Sequence, residues 1–82
     1  MANWARLCEH MFEEEIWVNE DSVERLSNVV RGGDVQGCRI FFKGGTSEML
    51  QVLESSDDIL ALWNRWYEGS IIRRLEVQNA EV

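Results

Sequence analysis

The stretch from Ser55 to Gly69, SSDDILALWNRWYEG, limits what this chain can fold into more than any other. Ser56 is placed to cap a helix N-terminus. Asp57 and Asp58 fill the first turn, where carboxylates favour the positive end of the helix dipole. Ile59, Leu62, Trp63 and Trp66 recur at helical spacing, with Leu60 and Tyr67 widening the stripe. Ala61, Asn64, Arg65 and Glu68 form the opposite, wettable face. Gly69 ends the helix as a C-terminal cap. The apolar stripe is expected to be the lid of the core, packed on a sheet that the rest of the chain supplies.

Upstream, Asn3 is a plausible cap for a first helix. Trp4, Leu7, Cys8, Met11 and Phe12 follow at i, i+3, i+4, i+7 and i+8, with Glu9, Glu13 and Glu14 on the other side. That helix is expected to end near Glu15, because Ile16-Trp17-Val18 is β-branched and aromatic and breaks the stripe. Those three residues read as a short strand or an extended link. Asp21 opens a second helix, with Glu24 completing a D-x-x-E capping box. Val23, Leu26, Val29 and Val30 give its buried face, and Gly32-Gly33 end it.

Gln36 to Lys43, QGCRIFFK, has the content of a strand, with Cys38, Ile40 and Phe42 on one side. Gly44-Gly45 suits a tight primed hairpin turn. Thr46 to Glu54 then reads as the return strand, although Met49, Leu50 and Leu53 also make a helical stripe. Ser70 to Gln78 reads as a last strand, and residues 79–82 as a frayed tail. The expected fold is one compact α+β domain over residues 1–82: a small, mostly antiparallel sheet, made of a hairpin plus a C-terminal strand, covered by two to three helices.

Composition narrows the function classes. Four tryptophans and three phenylalanines argue for a packed core rather than disorder. The chain has no proline and no apolar run near the roughly 18 residues that a membrane helix needs. The start, MANWARLCEHMFEEE, lacks a basic segment followed by an apolar run, so the chain reads as soluble and intracellular. The net charge is −7. Residues 1–25 hold seven acids against Arg6 and Arg25, so the acidity is concentrated in the first third. Direct binding to phosphate backbones or anionic membranes is disfavoured, because both need clustered Lys and Arg.

No catalytic pattern stands out. His10 with Glu13 and Glu14 lies one helical turn apart, but a metal site needs three or four convergent ligands, so His10 reads as a surface residue and no metal is expected. Cys8 and Cys38 belong to no C-x-x-C pair, and the single histidine has no third residue to orient it. The glycine pairs read as a cap and a turn, not as phosphate cradles. The expectation is no enzyme and no cofactor.

Two features point to binding instead. Glu13, Glu14 and Glu15, followed by Glu20, Asp21 and Glu24, read mainly as a solvated face with capping acids, and more sharply as a surface for a basic partner. Four tryptophans are many for so small a chain, and Trp17, flanked by the acids, is the best candidate for an exposed one.

From Arg39 onward the order RIFFKGG, EMLQVLES, SDDILALW, IIRRLEV resembles the second half of the Phox-and-Bem interaction domains, which have a ubiquitin-like β-grasp fold. That resemblance implies that Glu54, Asp57 and Asp58 form an acidic clamp on a basic partner. The family opens with a β-hairpin carrying a lysine, whereas this N-terminus reads as an amphipathic helix. The expected role is a non-catalytic protein-binding module that engages a basic surface, with a homodimer also open. The alternative is a small acidic inhibitor, of the kind encoded by phages or mobile elements, that blocks a nucleic-acid-binding complex by imitating phosphates.

Overall fold

At the N-terminus a period of two wins over the helical stripe. Ala5 and Leu7 point inward and are buried, while Trp4 and Arg6 point outward. The computed structural model describes residues 4–44, 49–64 and 76–82. In it β1 (Trp4–Cys8) pairs antiparallel with β2 (Glu15–Asn19), setting Ala5 opposite Val18 and Leu7 opposite Ile16. The first helix is therefore not formed. Apolar cross-strand pairs on one face stabilise the hairpin more than the isolated stripe stabilises a helix, and tertiary pairing overrides local propensity.

The second helix is also replaced. One 3-10 turn, Glu20–Ser22, is capped by the Asn19 carboxamide, whose Oδ1 accepts from the Asp21 amide at 3.0 Å. The chain then runs straight into β3 (Val23–Arg31). Val23 and Leu26 share the buried face although they are three positions apart, because the pairing shifts by one residue between Val23 and Arg25. That bulge at Glu24 resets the alternation and imitates helical spacing.

Gly32 and Gly33, at φ +60° and +85°, make the two-residue turn from β3 to β4 (Asp34–Phe42). They are the primed hairpin turn, not a helix cap. The QGCRIFFK strand lies within β4 and the neighbouring Lys43, and β5 (Met49–Val52) returns antiparallel beside it. Gly37 sits where β4 crosses closest to β5, and a Cβ there would strike the Val52 carbonyl oxygen. Gly45 lies outside the described residues.

The helix α1 (Ser56–Asn64) follows. Ser55, not Ser56, caps it: the Ser55 hydroxyl accepts from the Asp58 amide at 3.2 Å and the Ser55 carbonyl accepts from the Ile59 amide at 3.0 Å. Ile59 and Trp63, one turn apart, are fully buried, and Leu62 is exposed. The expected continuation to Gly69, and the last strand from Ser70 to Leu75, fall outside the described residues. Residues 79–81 are no frayed tail. They belong to β6 (Glu76–Glu81), which runs parallel to β3 from Arg25 opposite Glu76 to Val30 opposite Glu81.

The described residues thus form a mostly β structure: a two-stranded sheet, a four-stranded sheet of order β5-β4-β3-β6, and one α-helix. The expectation of a sheet covered by two to three helices is corrected accordingly. The two sheets meet at a bridge between Glu9 and Val52, where the Leu53 amide donates to the Cys8 carbonyl and the His10 amide to the Gln51 carbonyl. Ala5, Leu7 and Val18 from the hairpin, Leu26, Cys38, Ile40 and Val52 from the larger sheet, and Ile59 and Trp63 from α1 share one core. The Trp63 indole N–H donates to the Val18 carbonyl at 3.1 Å, tying the helix to the hairpin.

One polar residue holds the centre. Asn28 is buried in the middle of β3. Its carboxamide nitrogen donates to the Ser56 hydroxyl at 2.8 Å and to Asn79 Oδ1 at 2.9 Å, while its oxygen accepts from the Ser56 amide at 2.9 Å. One side chain thereby joins β3, the start of α1 and β6. Asn28→Ala leaves a buried Ser56 amide and hydroxyl without that partner, and buried unsatisfied groups cost about 1–3 kcal/mol. Urea unfolding is expected to show a loss of about 3 kcal/mol with an unchanged m-value.

Candidate functional site

The hairpin's outer face carries what its inner face does not need. Alternation sends Trp4 and Arg6 from β1, and Glu15 and Trp17 from β2, to the side away from the core. Trp4 is 55 % exposed and Trp17 61 % exposed. Arg6 stands directly opposite Trp17, and its guanidinium lies 3.7 Å from the Glu15 carboxylate. Both ends of that ion pair are well exposed, so it adds little to stability.

The main chain of the hairpin also has a fixed sense. The Glu9 amide donates to the Glu14 carbonyl at 2.9 Å, and the Cys8 main chain turns the other way, towards Glu54 and Leu53. In an antiparallel pair these roles alternate. Ala5 with Val18 and Leu7 with Ile16 therefore exchange the ladder bonds. Glu15 and Trp17 direct their N–H and C=O groups to the outer edge of β2.

The tip between the strands is held by Glu9. Its carboxylate accepts from the Phe12 amide at 2.7 Å and the Met11 amide at 2.9 Å, and lies 3.2 Å from His10 Nδ1. These amides, and then His10, hold the Glu9 carboxyl below its ordinary value of 4.5. Glu13 completes the tip with a left-handed backbone at φ 55°. This frame presents Met11 and Phe12 outward, 66 % and 74 % exposed. The hairpin thus displays four large apolar side chains, far more than scattered surface hydrophobics need.

The residues singled out from the sequence are only partly brought together. Glu13, Glu14, Glu15 and Trp17 form one exposed stretch at the tip and along β2. Glu20 is buried in the 3-10 turn, Asp21 is exposed in the same turn, and Glu24 is exposed at the bulge of β3. The six residues from Glu15 to Glu20 span at most about 17 Å. Asp57 and Asp58 are exposed on the first turn of α1, outside the hairpin. Glu54, the remaining member of the clamp implied by the resemblance, accepts from the Cys8 amide at 3.0 Å and is used internally.

Trp4, Met11 and Phe12, which helical spacing places on one apolar stripe, are exposed. The signal that finds them is the period of two in Ala5-Arg6-Leu7 read against Ile16-Trp17-Val18.

Other chemistry has little to build on. Burial pushes the Cys38 thiol up to about 11, and burial with the nearby Glu54 carboxylate raises Cys8. Neither is poised as a thiolate at neutral pH. Among the described residues no group of three or more His, Cys, Asp or Glu could hold a metal ion, and no helix is long and apolar enough to cross a membrane. No protein family, curated protein or solved structure matches the chain.

Because the Glu9 carboxyl is held below its ordinary value in the folded tip, its support is complete above 4.5 and is lost as pH falls through the lowered value. A pH titration followed by NMR is expected to move the Met11 and Phe12 amides together, with a midpoint below 4.5, while the Leu26 and Asn28 amides stay fixed. Glu9→Gln should remove that transition.

Proposed function

We propose that the chain is a non-catalytic protein-binding module that docks a basic partner on the outer face of the β1–β2 hairpin. The observation that carries this reading is the pair of tryptophans, Trp4 and Trp17, more than half exposed on one face of a short hairpin. Tryptophan is the residue most enriched among interface hot spots, because a large rigid surface is desolvated at small entropic cost. Met11 and Phe12 add exposed apolar side chains at the tip, and Glu13 and Glu14 follow them in the chain as exposed acids.

The division of labour follows from the chemistry. Burial of Trp4 and Trp17 supplies affinity. Glu13, Glu14 and Glu15 attract a Lys- or Arg-bearing surface, speed its approach and set its orientation. Asp57 and Asp58 have a sufficient role at the helix N-terminus, so the docking role is placed on the hairpin.

Capture of partners from the source organism's lysate by the immobilised protein tests this reading. Trp17→Ala should weaken capture by roughly 30-fold, the cost of a 2 kcal/mol hot spot, with little change in unfolding stability. Replacing Glu13, Glu14 and Glu15 together by Gln should slow association several-fold and flatten its salt dependence. Equal capture by both variants would remove the hairpin face as the site. If nucleic acid competes with the captured partner, the role becomes that of an inhibitor occupying a basic groove.

A further inference from the structure

The outer edge of β2 is a feature that a docking face alone leaves unused. Glu15 and Trp17 direct their main-chain groups to that edge, and among the described residues no strand lies beside it. Soluble proteins blunt such edges with proline, lysine or inward charge. The sequence of β2, EIWVN, has no such guard at its centre.

We propose that the partner enters as an extended strand added along the outer edge of β2, bonded to the main chain of Glu15 and Trp17, and carrying Lys or Arg at both ends. This rests on the reading of the hairpin as a protein-binding surface and specifies how the partner is held. Main-chain bonds give register, and Trp17 packs beside alternate side chains of the added strand.

Charge selects the occupant. Exposed acids flank β2 in the chain, Glu13 and Glu14 before it and Asp21 in the turn that follows it. The two ends are separated by about 20 Å of extended chain, which a strand of about eight residues spans. A second copy fits badly. Antiparallel pairing of two β2 edges about Trp17 sets Glu15 opposite Asn19, but carries Glu13 towards Asp21 of the other copy and joins two chains of net charge −7. Like charges set opposite each other are unfavourable. A strand with cationic ends and a β-branched centre reverses each of these signs.

The probe is the capped peptide Lys-Lys-Val-Thr-Val-Thr-Lys-Lys, titrated into the full chain and followed by amide NMR. Binding is expected at about 1 mM or tighter, shifting the Glu15 and Trp17 amides more than those of Ile16 and Val18. Methylation of all four central nitrogens of the peptide, which blocks both of its edges, should weaken it at least tenfold, and Glu13→Gln with Glu14→Gln several-fold. Absence of shifts at Glu15 and Trp17, or equal binding of the methylated peptide, would overturn the proposal.

Glu15→Pro, compared with Glu15→Gln so that loss of the carboxylate is common to both, separates this mode from the wider reading, since beyond the charge it removes an outward N–H that β1 does not use. Loss of lysate capture in Glu15→Pro and Trp17→Ala but not in Glu15→Gln supports strand addition. Loss in Trp17→Ala alone leaves the docking face and discards the strand.

Discussion

The hydrogen bonds of Asn28 are the constraint on which the rest of the structure depends. A buried carboxamide in the middle of a strand is destabilising unless its donors and acceptor are all used. Here its nitrogen reaches Ser56 and Asn79 and its oxygen takes the Ser56 amide. The arrangement fixes where α1 begins, and it pins β6 in parallel register with Asn28 opposite Asn79. An aliphatic residue at position 28 would leave Ser56 and Asn79 without these bonds and would leave the helix start and the β6 register unspecified.

From that frame the position of the hairpin follows. Once α1 is started at Ser56, Trp63 falls two turns later, and its indole N–H reaches the Val18 carbonyl. The bridge between Glu9 and Val52 and the Glu54 bond to the Cys8 amide hold the other side. The hairpin is thus fixed by its inner face and its tip. Its outer face leaves Trp4, Trp17, Met11 and Phe12 exposed, and among the described residues no strand lies beside its outer edge.

The parts of the fold that were legible in the sequence were those where local pattern and tertiary context agree. The strand around Cys38 to Phe42, its return partner, and the helix starting after Ser55 all follow from β-branched content, turn residues and an acidic first turn. The first two helices were misread for different reasons. Trp4, Leu7, Cys8, Met11 and Phe12 fit a helical stripe by spacing, but only Leu7 is fully buried, and the stripe dissolves once Ile16 and Val18 pair with β1. Val23 and Leu26 looked helical because a bulge placed them on one face. Bulges leave no local signature in one sequence. The exposure of Trp17 and of Glu13, Glu14 and Glu15 was legible from aromatic and charge content. Trp4, Met11 and Phe12 were hidden by the same misread period.

The account stands on the orientation of the β2 main chain, with Ile16 and Val18 bonded inward and Glu15 and Trp17 turned outward. Native-state amide hydrogen exchange of the free protein measures this residue by residue. The account predicts alternation: slow exchange at Ile16 and Val18, fast exchange at Glu15 and Trp17, and the slowest amides in β3. Uniform protection along β2, or the opposite alternation, would contradict it.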